Sequence, residues 1–89
     1  MVQPLHYRFF MPAIIRFARS VLRMYADDHR PPHFHIVGPD FAVMVDISSL
    51  EIISGEAQSS DIAEALAWAK DNQTMLAKRW RELNEREQP

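Results

Sequence analysis

Residues 33–47, HFHIVGPDFAVMVDI, decide the fold class. Two alternating runs flank Gly38-Pro39-Asp40, a turn signal that combines a residue without a Cβ and a residue of fixed φ. In the first run Phe34 and Ile36 fall on one side, and His33, His35 and Val37 on the other. In the second run Phe41, Val43, Val45 and Ile47 share a side. Period-two alternation rich in branched and aromatic residues is the strand pattern. The spacing predicts strands over 33–37 and 41–47. They pair antiparallel, because a parallel crossover needs a dozen or more residues.

Working outward, Ile15 and Phe17 alternate with Ile14 and Arg16, and Val21, Arg23 and Tyr25 alternate with Leu22, Met24 and Ala26. This predicts two earlier strands around an Arg19-Ser20 turn, which has no glycine and so is not a tight type I′ turn. Residues 26–32 read as a loop: Pro31 and Pro32 remove two backbone donors, and Pro31 pushes Arg30 out of the α region. Downstream, Ser48-Ser49 is a short turn, and 50–54 is a fifth strand ending near Gly55. The last third then changes period. Ile62, Leu66, Ala69, Leu76, Trp80 and Leu83 follow a three–four spacing, with Gln73 as the one polar step. That is one apolar stripe, on a single helix of about 25 residues or on two helices broken near Asp71-Asn72. Asn favours the break, since it caps well. Ser59 or Ser60 is the expected N-cap, with Asp61 in the positively polarised first turn. The expected fold is α+β: an antiparallel sheet of four to five strands followed by one long or two shorter C-terminal helices packed on one face. The expected organisation is an N-terminal extension over 1–10, a single domain over 11–84 and a frayed tail over 85–89.

Composition narrows the function classes. The 89 residues allow one domain, and 47% hydrophobic with 25% charged is ordinary for a globular chain. The absence of cysteine excludes a disulfide scaffold, a thiol nucleophile, a thiolate zinc site and an iron–sulfur cluster. Two glycines are too few for a glycine-rich phosphate loop. Apolar runs are too short to span a membrane, and no secretory signal is visible, so the expected compartment is the cytoplasm. The net charge of −2 hides a division: residues 1–38 carry five arginines against two acids, and residues 39–89 carry five basic against ten acidic residues. The basic half can meet phosphate, nucleic acid or an acidic partner; equally, the two halves can be oppositely charged solvated surfaces of one domain.

Chemistry concentrates in Asp27-Asp28-His29-Arg30-Pro31-Pro32-His33-Phe34-His35. His33 and His35 are two apart on a strand, so they project from one face with Cα atoms roughly 6.5–7 Å apart. Imidazoles placed so can share a divalent metal, with His29, Asp28 or Asp27 as third ligand and one position open. Zinc, nickel and manganese suit such a set. Asp46, on the polar side of its strand, is a further weak ligand candidate. A metal-free alternative uses His29, His33, His35 and Tyr25 for proton transfer and Arg16, Arg23 or Arg30 to hold a phosphate, the toolkit of a small nuclease or hydrolase. A purely structural reading uses the same residues: prolines stiffen the loop, Asp28 accepts turn amides, and the histidines face solvent or pack beside Tyr25. Trp68 and Trp80 accompany the helical stripe and read as packing aromatics, and Lys78-Arg79-Trp80-Arg81 as a solvated helix face.

Met11-Pro12-Ala13-Ile14-Ile15-Arg16-Phe17, Arg23-Met24-Tyr25, the Asp-His-x-Pro-Pro-His-Phe-His string over 28–35, Ala67-Trp68-Ala69 and Lys78-Arg79-Trp80 together resemble the family of small bacterial and archaeal proteins called domain of unknown function 4160. The resemblance covers about residues 11–83 and departs from the family pattern at Arg19, where a glycine is usual. It carries over the histidines as signature positions and no catalytic residue. It also implies a partner, because such genes often stand beside a second short gene in a toxin–antitoxin-like arrangement. The leading expectation is therefore an interaction module of such a pair, bound to the small protein of the neighbouring gene. The alternative is the nuclease or hydrolase. An exposed strand edge adds the general expectation of a homodimer.

Overall fold

Strand alternation and a break in the helical stripe set the architecture. The computed structural model describes residues 13–26 and 28–84. Its elements are β1 (Ala13–Arg16), β2 (Val21–Arg23), β3 (His33–Val37), β4 (Ala42–Asp46), β5 (Ile52–Gly55), α1 (Ser59–Lys70) and α2 (Gln73–Asn84). The strands form one sheet in the order β1-β2-β3-β4-β5, each neighbour antiparallel. This is the α+β arrangement expected, with five strands and two helices. The 1–10 extension, Asp27 as a ligand and the 85–89 tail lie outside the described residues. Among the described residues, no helix is long and apolar enough to cross a membrane.

Leu22, Ile36 and Val43 are successive partners across β2, β3 and β4, and Phe34 partners Val45. All five are buried, and they meet Ile62, Ala65 and Ala69 of α1 and Leu76 and Trp80 of α2 in one core. Burial of the ring outweighs an unmet donor there: the Trp80 indole N–H has no acceptor, a loss of about 1–3 kcal/mol.

Several boundaries differ from the expectation. The second strand ends at Arg23 rather than running to Ala26, β4 is Ala42–Asp46, and the fifth strand starts at Ile52. The last shift follows from the turn. Asp46 Oδ1 accepts the amides of Ser48 and Ser49, the Leu50 amide donates to the Asp46 carbonyl, and Leu50 takes φ 63°. A left-handed Leu costs about 1–2 kcal/mol and delays strand pairing. The expected serine cap is also corrected: Gln58 is the N-cap and makes no side-chain cap bond, while Ser59 and Ser60 are already helical.

The helix break falls at Asp71-Asn72. Asn72 donates its amide to the Ala69 carbonyl and its side-chain Nδ2 to the Trp68 carbonyl, while its own carbonyl accepts the Leu76 amide. One residue thus closes α1 and opens α2. The polar step in the stripe has a similar use: Gln73 Nε2 donates to the carbonyls of Ile47 and Ser48, tying the start of α2 to the β4–β5 turn.

Gly55 has φ +88°, and a Cβ there would lie 2.2 Å from the Ala42 carbonyl oxygen and 3.1 Å from Val43 Cα. A Cβ on Gly38 would instead meet the Phe41 ring, which can swing away. We expect Gly55→Ala to lower unfolding stability by about 2 kcal/mol or more, and Gly38→Ala to cost clearly less. Urea denaturation midpoints check the difference.

Candidate metal centre

The strand phase that buries Phe34 and Ile36 turns His33 and His35 to the opposite side of β3. Asp28 and Pro31 of the preceding loop then lie against them. His33 is 1% exposed. Its Nδ1 lies 2.6 Å from the Pro31 carbonyl oxygen and its Nε2 3.0 Å from Asp28 Oδ2. The same Oδ2 lies 3.4 Å from His35 Nε2. The other carboxylate oxygen, Oδ1, accepts the His29 amide. The ligand atoms of Asp28, His33 and His35 all lie within 4.8 Å of one another.

Backbone placement of Asp28 comes from the far end of the chain. Asn84, the last residue of α2, accepts the Asp28 amide at its Oδ1 and donates its Nδ2 to the carbonyls of Tyr25 and Trp80. A carboxamide can do both because it carries an acceptor and two donors. The Tyr25 ring meets His35 edge-on at 4.6 Å between centroids, and the Trp80 ring lies 6.5 Å from that of His33. The Arg30 guanidinium sits 5.6 Å from the Trp80 ring centroid, a cation–π distance.

These contacts constrain protonation. The Pro31 carbonyl only accepts, so His33 Nδ1 carries a proton. With that proton on Nδ1, Nε2 either carries a second proton that it donates to Asp28 Oδ2 or offers a lone pair toward it. A lone pair against a carboxylate oxygen needs a cation between them, either a proton or a metal ion. Burial lowers the proton affinity of His35. The hydrogen bond to Asp28 opposes this and the His33 charge adds to it, leaving the imidazole below its ordinary pKa of 6.5. Burial raises the Asp28 carboxyl. The bond from His35, the His33 charge, the His29 amide and the His35 charge outweigh it and hold the carboxyl below its ordinary 3.8.

The sequence candidates divide in space. Asp28, His33 and His35 come together, with Tyr25 against His35. His29 is exposed, its Nδ1 facing the Arg30 carbonyl and its ring 5.9 Å from that of His33, so it stands outside the trio. Asp46 is the direct β4 partner of His33, with its Oδ1 turned to the amides of Ser48 and Ser49. Arg23 is the direct β2 partner of His35, whereas Arg16 partners Val21 farther along the strand. Asn84 had no signal in the sequence: it is one Asn at a helix end, 56 positions from Asp28.

The family model described as Domain of unknown function (DUF4160) matches residues 20–81. That covers more than half of the chain, which therefore belongs to this family of small domains. No curated protein and no solved structure matches it.

Both shifts make the metal-free protein less stable in acid. The unfolded chain binds a proton at His35 more readily, so stability falls as pH drops below about 6.5. The Asp28 contribution, present above 3.8, is lost only as pH falls through its lower folded value. With chelator present, denaturation midpoints should decline from pH 7.5 to 5, and His35→Gln should flatten the upper part of that decline.

Proposed function

We propose that the chain binds one divalent transition metal through Asp28 Oδ2, His33 Nε2 and His35 Nε2 and serves as a small metal-dependent hydrolase, of which a nuclease is one form. The carrying observation is the 3.0 and 3.4 Å spacing of the two imidazole nitrogens from one carboxylate oxygen. Ligands about 2.1 Å from a metal at tetrahedral or octahedral angles stand about 3.0–3.4 Å apart. The same atoms are within hydrogen-bond reach of one another, so the cluster is held together before a metal enters. The bond from His33 Nδ1 to the Pro31 carbonyl is also the usual support of a metal-bound imidazole, since it fixes which nitrogen is free to ligate. Two imidazoles and one carboxylate suit zinc, nickel, manganese or iron, and leave positions open. The metal's contribution would be to acidify a bound water to a nucleophile near neutral pH.

Protein purified without a histidine tag should carry near-stoichiometric metal by elemental analysis. The His33→Ala/His35→Ala double variant should lose both the metal and any metal-stimulated hydrolysis of an activated ester. Asn84→Ala should keep the ligands yet weaken metal affinity about tenfold or more, because Asp28 loses its anchor. A tag-free protein that takes up no zinc, nickel or manganese would sink the proposal.

A second reading is an interaction module of a two-gene, toxin–antitoxin-like pair in the cytoplasm. What favours it is β5, a sheet-edge strand with Ile52 and Ile53 43% and 45% exposed. Antiparallel pairing of β5 with its own copy about Ile53-Ser54 would set Glu51 opposite Glu56, like charges that disfavour such a homodimer. Co-expression with the neighbouring gene product should give a co-purifying complex that Ile53→Lys disrupts. Separate elution of the two proteins would count against this reading.

A further inference from the structure

Resting on the metal reading, we infer that the centre takes a phosphoryl group, with the Arg23 guanidinium anchoring the oxyanion beside the metal. Arg23 and His35 are direct partners in the β2–β3 ladder. Partners of an antiparallel pair project from the same face with Cβ atoms about 4.5–5.5 Å apart. On its other flank His35 partners Met44, which is apolar, and Met44 partners Ser54. The cation beside the trio therefore lies on the β2 side, the side from which the loop bearing Asp28 departs.

Arg23 is half-buried, and among the described residues no carboxylate pairs with it. Arg19, by contrast, reaches Asp61 at 3.3 Å. A guanidinium held partly out of water favours an anion that its planar fork can grip. The metal adds to that demand. A divalent ion bound by one carboxylate and two neutral imidazoles keeps a net charge of about +1. Arg23 is the direct β2 partner of His35, while Asp46, the direct β4 partner of His33, lies on the other flank with its Oδ1 turned to the amides of Ser48 and Ser49.

The chemistry favours phosphate over carboxylate. Inorganic phosphate or a phosphate monoester, with three or more terminal oxygens, can give one to the metal and still offer two to the guanidinium fork. A carboxylate that ligates the metal keeps one oxygen for that fork. In a phosphate ester, both cations would also act on the charge that builds on the phosphoryl oxygens during cleavage.

The test uses the full chain loaded with Co2+, whose visible absorption reports on its ligands. Inorganic phosphate should change that absorption, and calorimetry should show it binding about tenfold or more tighter than acetate at equal ionic strength. Arg23→Gln should weaken phosphate about tenfold or more while Co2+ affinity stays unchanged. Arg23→Lys should recover only part of the loss, because the fork is gone. Arg16→Gln, on the same sheet but away from His35, should leave both affinities intact. Equal phosphate binding by the Arg23 and Arg16 variants, or acetate binding as tightly as phosphate, overturns this inference while the metal centre stands. A chain that takes up no Co2+ overturns the metal reading and the inference with it.

Discussion

The period of β3 is the constraint on which both halves of the molecule depend. Adjacent residues of a strand point to opposite sides. Phe34 and Ile36 enter the core against Val45, Val43 and Leu22, and that commitment sends His33 and His35 the other way. A slip of one residue would expose two large apolar side chains and bury the histidines among aliphatic groups, at a cost of several kcal/mol. The energy that fixes the core therefore also fixes the spacing of the two imidazoles.

Helix α2 supplies the second constraint. It spans about 18 Å with a carboxamide at each end. Gln73 holds the β4–β5 turn through the carbonyls of Ile47 and Ser48. Asn84 holds the loop before β3 at Tyr25 and Asp28. Between them Leu76 and Trp80 anchor the helix in the core. The helix thus transmits the position of the sheet to Asp28 through its backbone amide. The trio combines groups of two kinds: two imidazoles set by a strand and one carboxylate set by a helix terminus.

The architecture was largely legible because it rests on local patterns. Alternation over 33–47 gives the central hairpin, the absence of helix-length segments between strands gives the antiparallel meander, and the break at Asp71-Asn72 gives two helices. Two boundaries were not legible. The late start of β5 depends on Leu50 in a left-handed conformation, and β-branched or aliphatic residues carry no advance sign of that. The cap falls at Gln58, one residue before the serines, against a local preference worth about 1 kcal/mol.

The sequence by itself determined that this chain is an α+β domain of its family, that any metal must be held by imidazole and carboxylate, and that His33 and His35 share a face. Those conclusions need only composition and a period of two. Tertiary structure alone decided that Asp28 and not His29 joins them, that Arg23 stands beside His35, and that Asn84 fixes the loop. These are contacts across strands or between a loop and a distant helix. Their geometry depends on where the backbone places the loop and α2, and no local spacing encodes that.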